Sequence, residues 1–124
     1  AFDVIAAWGF KYKTMLFYWT KLNPKSKTTV TGPGSYTRSC GEFVLLGMRG
    51  HVKRQSTMAI SQEIRAPRGR HSAKPAIVRE HLKALFGNLP AIELFARERV
   101  DGWAAWGNEV ADVRDEFLKF DHAE

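Results

Sequence analysis

The apolar residues of this chain fall into short blocks, separated by polar stretches rich in glycine and proline. Two blocks, at 2–8 and 75–86, have the spacing of an amphipathic helix, and a glycine suited to ending a helix follows each of them. Pro75 suits the first helical position, where the missing amide hydrogen costs nothing. The pattern therefore predicts helices at 2–8 and 75–86, and a further amphipathic helix at 110–120.

The remaining apolar blocks have the composition of strands. The segment 12–21 is aromatic and β-favouring, and 43–46 is a continuous apolar run typical of a strand buried on both faces. Weaker candidates lie at 57–66, 91–95 and 102–107. Strands interleaved with helices indicate an α/β fold with a mostly parallel sheet.

Two long loops are expected, at 22–41 and 65–74. Loops of this length inside a compact domain are usually functional or mobile. Sheets of this class bind ligands at the carboxyl ends of their strands. We therefore expect chemistry in these two loops and in the shorter connections at 96–101 and 108–109.

The length of 124 residues fits a single domain spanning 1–124. The longest apolar runs are far shorter than the ~20 residues of a membrane span, and no secretory signal opens the chain. The single cysteine, Cys40, cannot form an internal disulfide, and the histidines and cysteine lack the spacing of a zinc site. These features predict a cytoplasmic protein with no metal and no membrane partner.

Charge is unevenly distributed along the chain. Residues 1–90 carry 15 Lys and Arg against 4 Asp and Glu, whereas 91–124 carry 4 against 9. Summed positive charge attracts polyanions, so a nucleic-acid partner is one interpretation and a solvated basic face is the other. Charge alone leaves both open. The densest cations, with polar neighbours suited to phosphate contacts, are Arg49, Lys53, Arg54, Arg65, Arg68 and Arg70.

Lys74 directly precedes the predicted helix at 75–86. Unpaired amides and the positive end of a helix already favour an anion there, so an added ammonium suits a carboxylate or a phosphate. Ordinary capping with a solvated lysine is the alternative, and this segment alone favours it.

Two further segments suit a nucleotide. Small residues at Ala96 and Gly102 allow a ligand close to the backbone, and Asn108 and Glu109 could bond ribose hydroxyls or an adenine edge. As an alternative, Asn108 and Glu109 cap the last helix. The two nearby tryptophans, Trp103 and Trp106, are predicted to be core residues.

Eight short segments, taken together in order, resemble one family. They are Trp8-Gly9-Phe10, Trp19-Thr20-Lys21-Leu22-Asn23, Gly32-x-Gly34, Glu42-Phe43-Val44-Leu45-Leu46-Gly47, His71-Ser72-x-Lys74-Pro75, Glu93-Leu94-Phe95-Ala96-Arg97, Gly102-Trp103 and Trp106-Gly107-Asn108-Glu109. The pattern is that of the N6-adenine methyltransferases named after the S-adenosylmethionine-binding subunit of the mRNA adenosine methyltransferase, and its spelling is similar to the bacterial and phage branch. The resemblance covers roughly residues 2–110.

This resemblance implies a Rossmann-like, circularly permuted methyltransferase fold, of which the chain is the C-terminal, cofactor-binding part. It implies that Lys74 holds the methionine carboxylate of S-adenosylmethionine. Arg97 and Asn108 would contact the ribose and adenosine end, and Glu109 would accept from the ribose hydroxyls.

The resemblance also implies a substrate side, with DNA or RNA as the partner. Glu42 and Ser72 would lie near the target adenine or the amino-acid end of the cofactor. The loops 22–41 and 65–74 would form the mobile walls of the substrate cleft. The oligomeric state, whether a monomer, a homodimer or a heterodimer, is left open.

One departure from the family pattern concerns catalysis. The family signature Asp-Pro-Pro-aromatic is absent, since the five prolines of this chain are all isolated. In the family, the Asp side chain and a Pro carbonyl accept the hydrogens of the adenine amine and aim it at the methyl group, and such positioning supplies most of the catalysis. We therefore expect the chain to be a piece of a longer protein and to be inactive alone. The alternative is a non-catalytic, nucleic-acid-binding relative.

Overall fold

A computed structural model of the chain describes residues 1–55, 59–70 and 73–110. These residues belong to two compact units, Ala1–Gly87 and Asn88–Glu124. The helix predicted at 110–120 lies outside the described residues, apart from Val110. Neither helix in the described ranges has the length and the apolar character needed to cross a bilayer.

Within residues 1–55, 59–70 and 73–87, the first unit contains two helices and a three-stranded sheet, whose strand order is β2-β1-β3. β1 pairs antiparallel with β2 and parallel with β3. The elements in chain order are α1 (Phe2–Ala7), β1 (Lys11–Leu22), β2 (Gly41–Met48), β3 (Glu63–Pro67) and α2 (Ala76–Phe86).

β1 is the central strand, and its alternating side chains build the core. Phe17 is 1% exposed and Trp19 is 2% exposed, and both pack with residues of β3 and α2. The indole Nε1 of Trp19 donates a hydrogen bond of 2.9 Å to the carbonyl oxygen of Ala66 in β3. This bond satisfies the polar atom of a buried aromatic ring, as burial requires.

The apolar run at 43–46 is a strand, as predicted, but the expected environment was wrong. β2 pairs antiparallel with β1 and lies at the edge of the described sheet. Phe43 is 69% exposed, and its ring packs beside that of Tyr18, with 5.2 Å between the centroids. A continuous apolar run is therefore compatible with an edge strand in this chain.

Most element boundaries differ from the predictions by one or two residues, and the start of β3 differs most. Residues 65–67, predicted as the start of a loop, belong to β3. β3 begins at Glu63 instead of 57, because it pairs only with the second half of β1, starting opposite Tyr18. α2 begins at Ala76, one residue later than predicted. Pro75 has extended backbone with ψ 140° and is the N-cap. The predicted end of α2 at Phe86 is confirmed, whereas α1 ends at Ala7, one residue earlier than predicted. Gly9 and Gly87 each have a φ of +79°.

The second unit contains a two-stranded parallel sheet of β4 (Ile92–Leu94) and β5 (Ala104–Trp106). The core prediction for the two tryptophans was wrong for Trp106, which is 43% exposed, whereas Trp103 is half-buried. Ala104 and Ala105 are buried instead. Trp106 packs edge-to-face against the exposed ring of Phe95, which holds it at the surface.

The described residues therefore form a mixed α/β structure with two small sheets. The predicted mostly parallel sheet is confirmed for β1–β3 and β4–β5, and the antiparallel β1–β2 pair departs from it. The Rossmann-like topology and the circular permutation stay predictions.

Candidate cofactor and substrate site

Three charged side chains of the first unit meet where β1, β2 and the start of α2 come together. The Nζ atom of Lys21 lies 2.6 Å from Oε1 of Glu42, and the Nζ atom of Lys74 bonds Oε2 of the same carboxylate. We call Lys21, Glu42 and Lys74 the lysine–glutamate cluster. Two predicted site residues, Glu42 and Lys74, are therefore brought together although 32 positions separate them.

The indole ring of Trp19 forms the floor of this cluster. The Nζ atoms of Lys21 and Lys74 lie 5.2 Å and 6.0 Å from the ring centroid, within the range of a cation–π attraction. The strand geometry explains the arrangement, since Trp19 and Lys21 are two apart on β1 and share one face. Lys21 was not among the predicted site residues, although this alternation was a signal for it.

Gly41 allows the backbone around Glu42 to approach β1. A Cβ atom at this position would lie 2.5 Å from the carbonyl oxygen of Trp19 and 2.6 Å from the ring of Tyr18. Any larger residue would push β2 away from β1, and the glutamate would move with it.

The electrostatics of the cluster favour a charged glutamate. Partial burial raises the pKa of Glu42, but the hydrogen bonds and charges of Lys21 and Lys74 outweigh burial and hold this pKa below its ordinary value. Two ammonium groups therefore face one carboxylate. The Lys74 side chain is 54% exposed against 25% for Lys21, so Lys74 is the cation that a dissolved anion can reach.

Lys74 lies close to the start of α2, one residue farther from it than predicted. It stands two residues before α2, and its neighbour Pro75 is the N-cap. Within the described residues, the N-cap makes no side-chain hydrogen bond. The first backbone N–H groups of α2 are therefore not capped by the side chain of this residue. Ser72, the other residue predicted nearby, lies outside the described residues.

The second unit brings together two more predicted site residues. Arg97 follows β4, and Glu109 follows β5. Since these strands are parallel, their carboxyl ends lie at the same edge. Nη1 of Arg97 donates a hydrogen bond of 2.7 Å to Oε1 of Glu109. Asn108 is exposed beside this pair, so a guanidinium, a carboxylate and an amide follow the ends of two strands.

The backbone around this pair differs from the expectation. Ala96 is 2% exposed, and its N–H donates to the carbonyl oxygen of Trp106 at 2.9 Å, so it does not offer backbone to a ligand as predicted. The residue that permits the close approach is Gly107. A Cβ atom there would lie 2.6 Å from the carbonyl oxygen of Ala96.

Three of the six cations predicted to contact phosphate, Arg65, Arg68 and Arg70, lie along and after β3, whereas Arg49, Lys53 and Arg54 follow β2. Arg65 donates to Oε1 of Glu63 at 3.3 Å, so an acidic neighbour shares its charge. Arg68 and Arg70 are exposed in the segment that follows the strand. The structure therefore keeps all three at the surface, with Arg65 partly neutralised.

Comparison with known proteins supplies the family. The family model MT-A70 matches residues 2–109. The chain is also 39% identical over 111 residues to the Type II methyltransferase M.MunI of Mycoplasma sp., an alignment that covers 89% of this chain and 45% of that protein. The chain thus spans about half the length of this curated relative. The family match extends over most of the chain and confirms the resemblance carried by the eight segments. The chain therefore belongs to the MT-A70 family of methyltransferases.

Proposed function

We propose that this protein is an S-adenosylmethionine-dependent N6-adenine methyltransferase acting on DNA or RNA, and that residues 1–124 carry its cofactor-binding half. The observation that carries the proposal is the position of Lys74. Its ammonium lies before the start of a helix, near the face of an indole ring, and already bonds a carboxylate. Such a group is suited to binding the carboxylate of an amino-acid moiety.

The polar groups of the chain fit S-adenosylmethionine in their chemistry. Lys74 matches the methionine carboxylate, the Glu109 carboxylate matches vicinal ribose hydroxyls, and the Asn108 amide matches an adenine edge. Arg97 holds Glu109 through their 2.7 Å hydrogen bond, which orients the acceptor. When bound, the cofactor supplies the electrophilic methyl group of its sulfonium.

Activation of the adenine amine calls for hydrogen-bond acceptors aimed at it. Glu42 is the carboxylate nearest to Lys74, and we assign it and Ser72 to the target adenine or to the amino-acid end of the cofactor. The Asp-Pro-Pro-aromatic tetrapeptide does not occur in residues 1–124. We therefore expect these residues alone to bind the cofactor without transferring its methyl group.

Transfer is tested with methyl-labelled S-adenosylmethionine and either DNA or RNA, followed by mass spectrometry of the digested nucleosides. A protein that carries the tetrapeptide ahead of these residues should yield N6-methyladenine, whereas residues 1–124 alone should yield none. Label on cytosine, or on no base with the longer protein, would overturn the proposal.

The nucleic-acid side of the proposal involves the exposed cations at 65–70. Phosphate contacts make affinity depend on salt, and each lost contact reduces that dependence. Replacing Arg65, Arg68 and Arg70 with glutamine should flatten the slope of log affinity against log salt for binding to single-stranded DNA or RNA. An unaltered slope would assign these residues to a solvated face. Lys13→Gln, an exposed change on β1, is the control.

A further inference from the structure

The lysine–glutamate cluster contains one more cation than its carboxylate needs. Lys21 and Lys74 bond different oxygens of Glu42, so each lysine alone could neutralise the glutamate. The two lysines differ in how firmly they are held, and this difference suggests a division of labour between them.

Lys21 is fixed by the sheet. Its backbone N–H donates to the carbonyl oxygen of Cys40 at 2.9 Å, and its backbone carbonyl accepts from the N–H of Val30 at 2.8 Å. It also stands opposite Ala66 of β3 in the strand register. Its side chain is only 25% exposed and lies across the indole ring of Trp19. The sheet therefore fixes the backbone of Lys21, and partial burial over the indole ring restricts its side chain beside Glu42.

Lys74 is held less firmly. It lies in the non-regular segment before α2, outside both sheets, and its side chain is 54% exposed. While it bonds Glu42, it is engaged by a carboxylate of the protein, and any dissolved carboxylate must compete with that bond.

We infer that Lys21 is a positioning residue of the proposed cofactor site, the resident counter-ion of Glu42, which lets Lys74 exchange that carboxylate for the carboxylate of S-adenosylmethionine. This inference rests on the proposed function. Without Lys21, Glu42 would depend on Lys74 as its remaining partner in the cluster. Lys74 would then be retained by the protein, and the ligand would bind more weakly although Lys21 does not touch it.

Calorimetric titration with S-adenosylmethionine tests the exchange. Lys21→Met should weaken binding about fivefold, the equivalent of one partly exposed ion pair. Lys21→Arg, which keeps the charge, should stay close to the wild type. In a Glu42→Gln background no carboxylate competes for Lys74, so adding Lys21→Met should change affinity less than about twofold. Lys13→Met, an exposed change on the same strand, is the control.

Two outcomes of this cycle would overturn the inference. One is an equal loss of affinity in both backgrounds, which would mean that Lys21 contacts the ligand itself. The other is no loss from Lys21→Met in the wild-type background. Circular dichroism of each variant separates these outcomes from misfolding, and a misfolded Lys21→Met is replaced by Lys21→Gln.

A second measurement needs no ligand. In Lys74→Met, carbon-13 NMR titration should still show the Glu42 pKa below its ordinary value, because Lys21 remains. In the double variant lacking both lysines this pKa should rise above the ordinary value, because only the burial effect is left. An ordinary or raised pKa in Lys74→Met would overturn the role of Lys21.

The two measurements also separate this inference from the proposed function. If the wild type fails to bind S-adenosylmethionine, the proposed function and the ligand exchange both fail. The titration of Glu42 then still decides whether Lys21 is its counter-ion.

Discussion

Replacing Trp19 with phenylalanine should strongly destabilise the first unit. The indole Nε1 donates 2.9 Å to the buried carbonyl oxygen of Ala66, and phenylalanine leaves that oxygen without this donor. The loss of one intramolecular hydrogen bond costs about 0.5–1.5 kcal/mol, and the space left by the smaller ring adds about 1 kcal/mol. The expected loss is about 1.5–2.5 kcal/mol of the free energy of unfolding, out of roughly 5–15 kcal/mol for a typical domain.

Urea denaturation followed by far-ultraviolet circular dichroism measures this loss. The matched control is Trp8→Phe in the same unit, because Trp8 is 56% exposed and should change stability by less than about 0.5 kcal/mol. If the two variants lose equal stability, the burial of Trp19 and its hydrogen bond to Ala66 do not contribute to the free energy of unfolding, and the reasoning is refuted.

Three further predictions concern charge, close approach and burial. Because the pKa of Glu42 is lowered from its ordinary 4.5, its charge stabilises the fold above that pH. Glu42→Gln should therefore cost about 1 kcal/mol near neutrality and progressively less as acid titrates the wild type, and a pH-independent cost in urea melts would contradict this. Gly107→Ala should weaken cofactor binding, because the new Cβ atom would push away the backbone of Ala96 and displace Arg97 with it. Gly32→Ala should not, because the nearest atom to its Cβ lies at 3.5 Å. Thermal melts should show Phe17→Ala losing about 3–5 kcal/mol and Phe43→Ala far less, and equal losses would refute the assigned burial.

The elements of the fold were largely predictable because their signals are local. Apolar periodicity and a following glycine located both described helices, and aromatic or β-branched blocks located the strands. The pairing of the strands was harder to predict from the sequence. The run at 43–46 has the composition of a strand buried on both faces, yet it pairs antiparallel with β1 at the edge of the described sheet. The predicted burial of Trp106 was also wrong. Trp106 is the last residue of a three-residue strand, and its ring packs against the exposed ring of Phe95.

The candidate site was predictable in its members more than in its contacts. Lys74 and Glu42 were chosen by different arguments, and their direct bond depends on β2 pairing with β1, which sequence alone did not provide. Alternation on β1 placed Lys21 on the face of Trp19, but its bond to Glu42 depends on the same β1–β2 pairing, so Lys21 was missed. The pairing of Arg97 with Glu109 follows from two parallel strands ending at one edge.

The affinity of the protein for S-adenosylmethionine, with and without the Lys74 ammonium, decides whether Lys74 belongs to a cofactor site. Isothermal titration calorimetry of the wild type, Lys74→Ala and the control Lys13→Ala measures it. We expect the wild type and the control to bind, and Lys74→Ala to lose about 1.5–3 kcal/mol of binding free energy, as for a charged hydrogen bond. An affinity unchanged by Lys74→Ala would remove Lys74 from the cofactor site and refute the proposed function as argued from it.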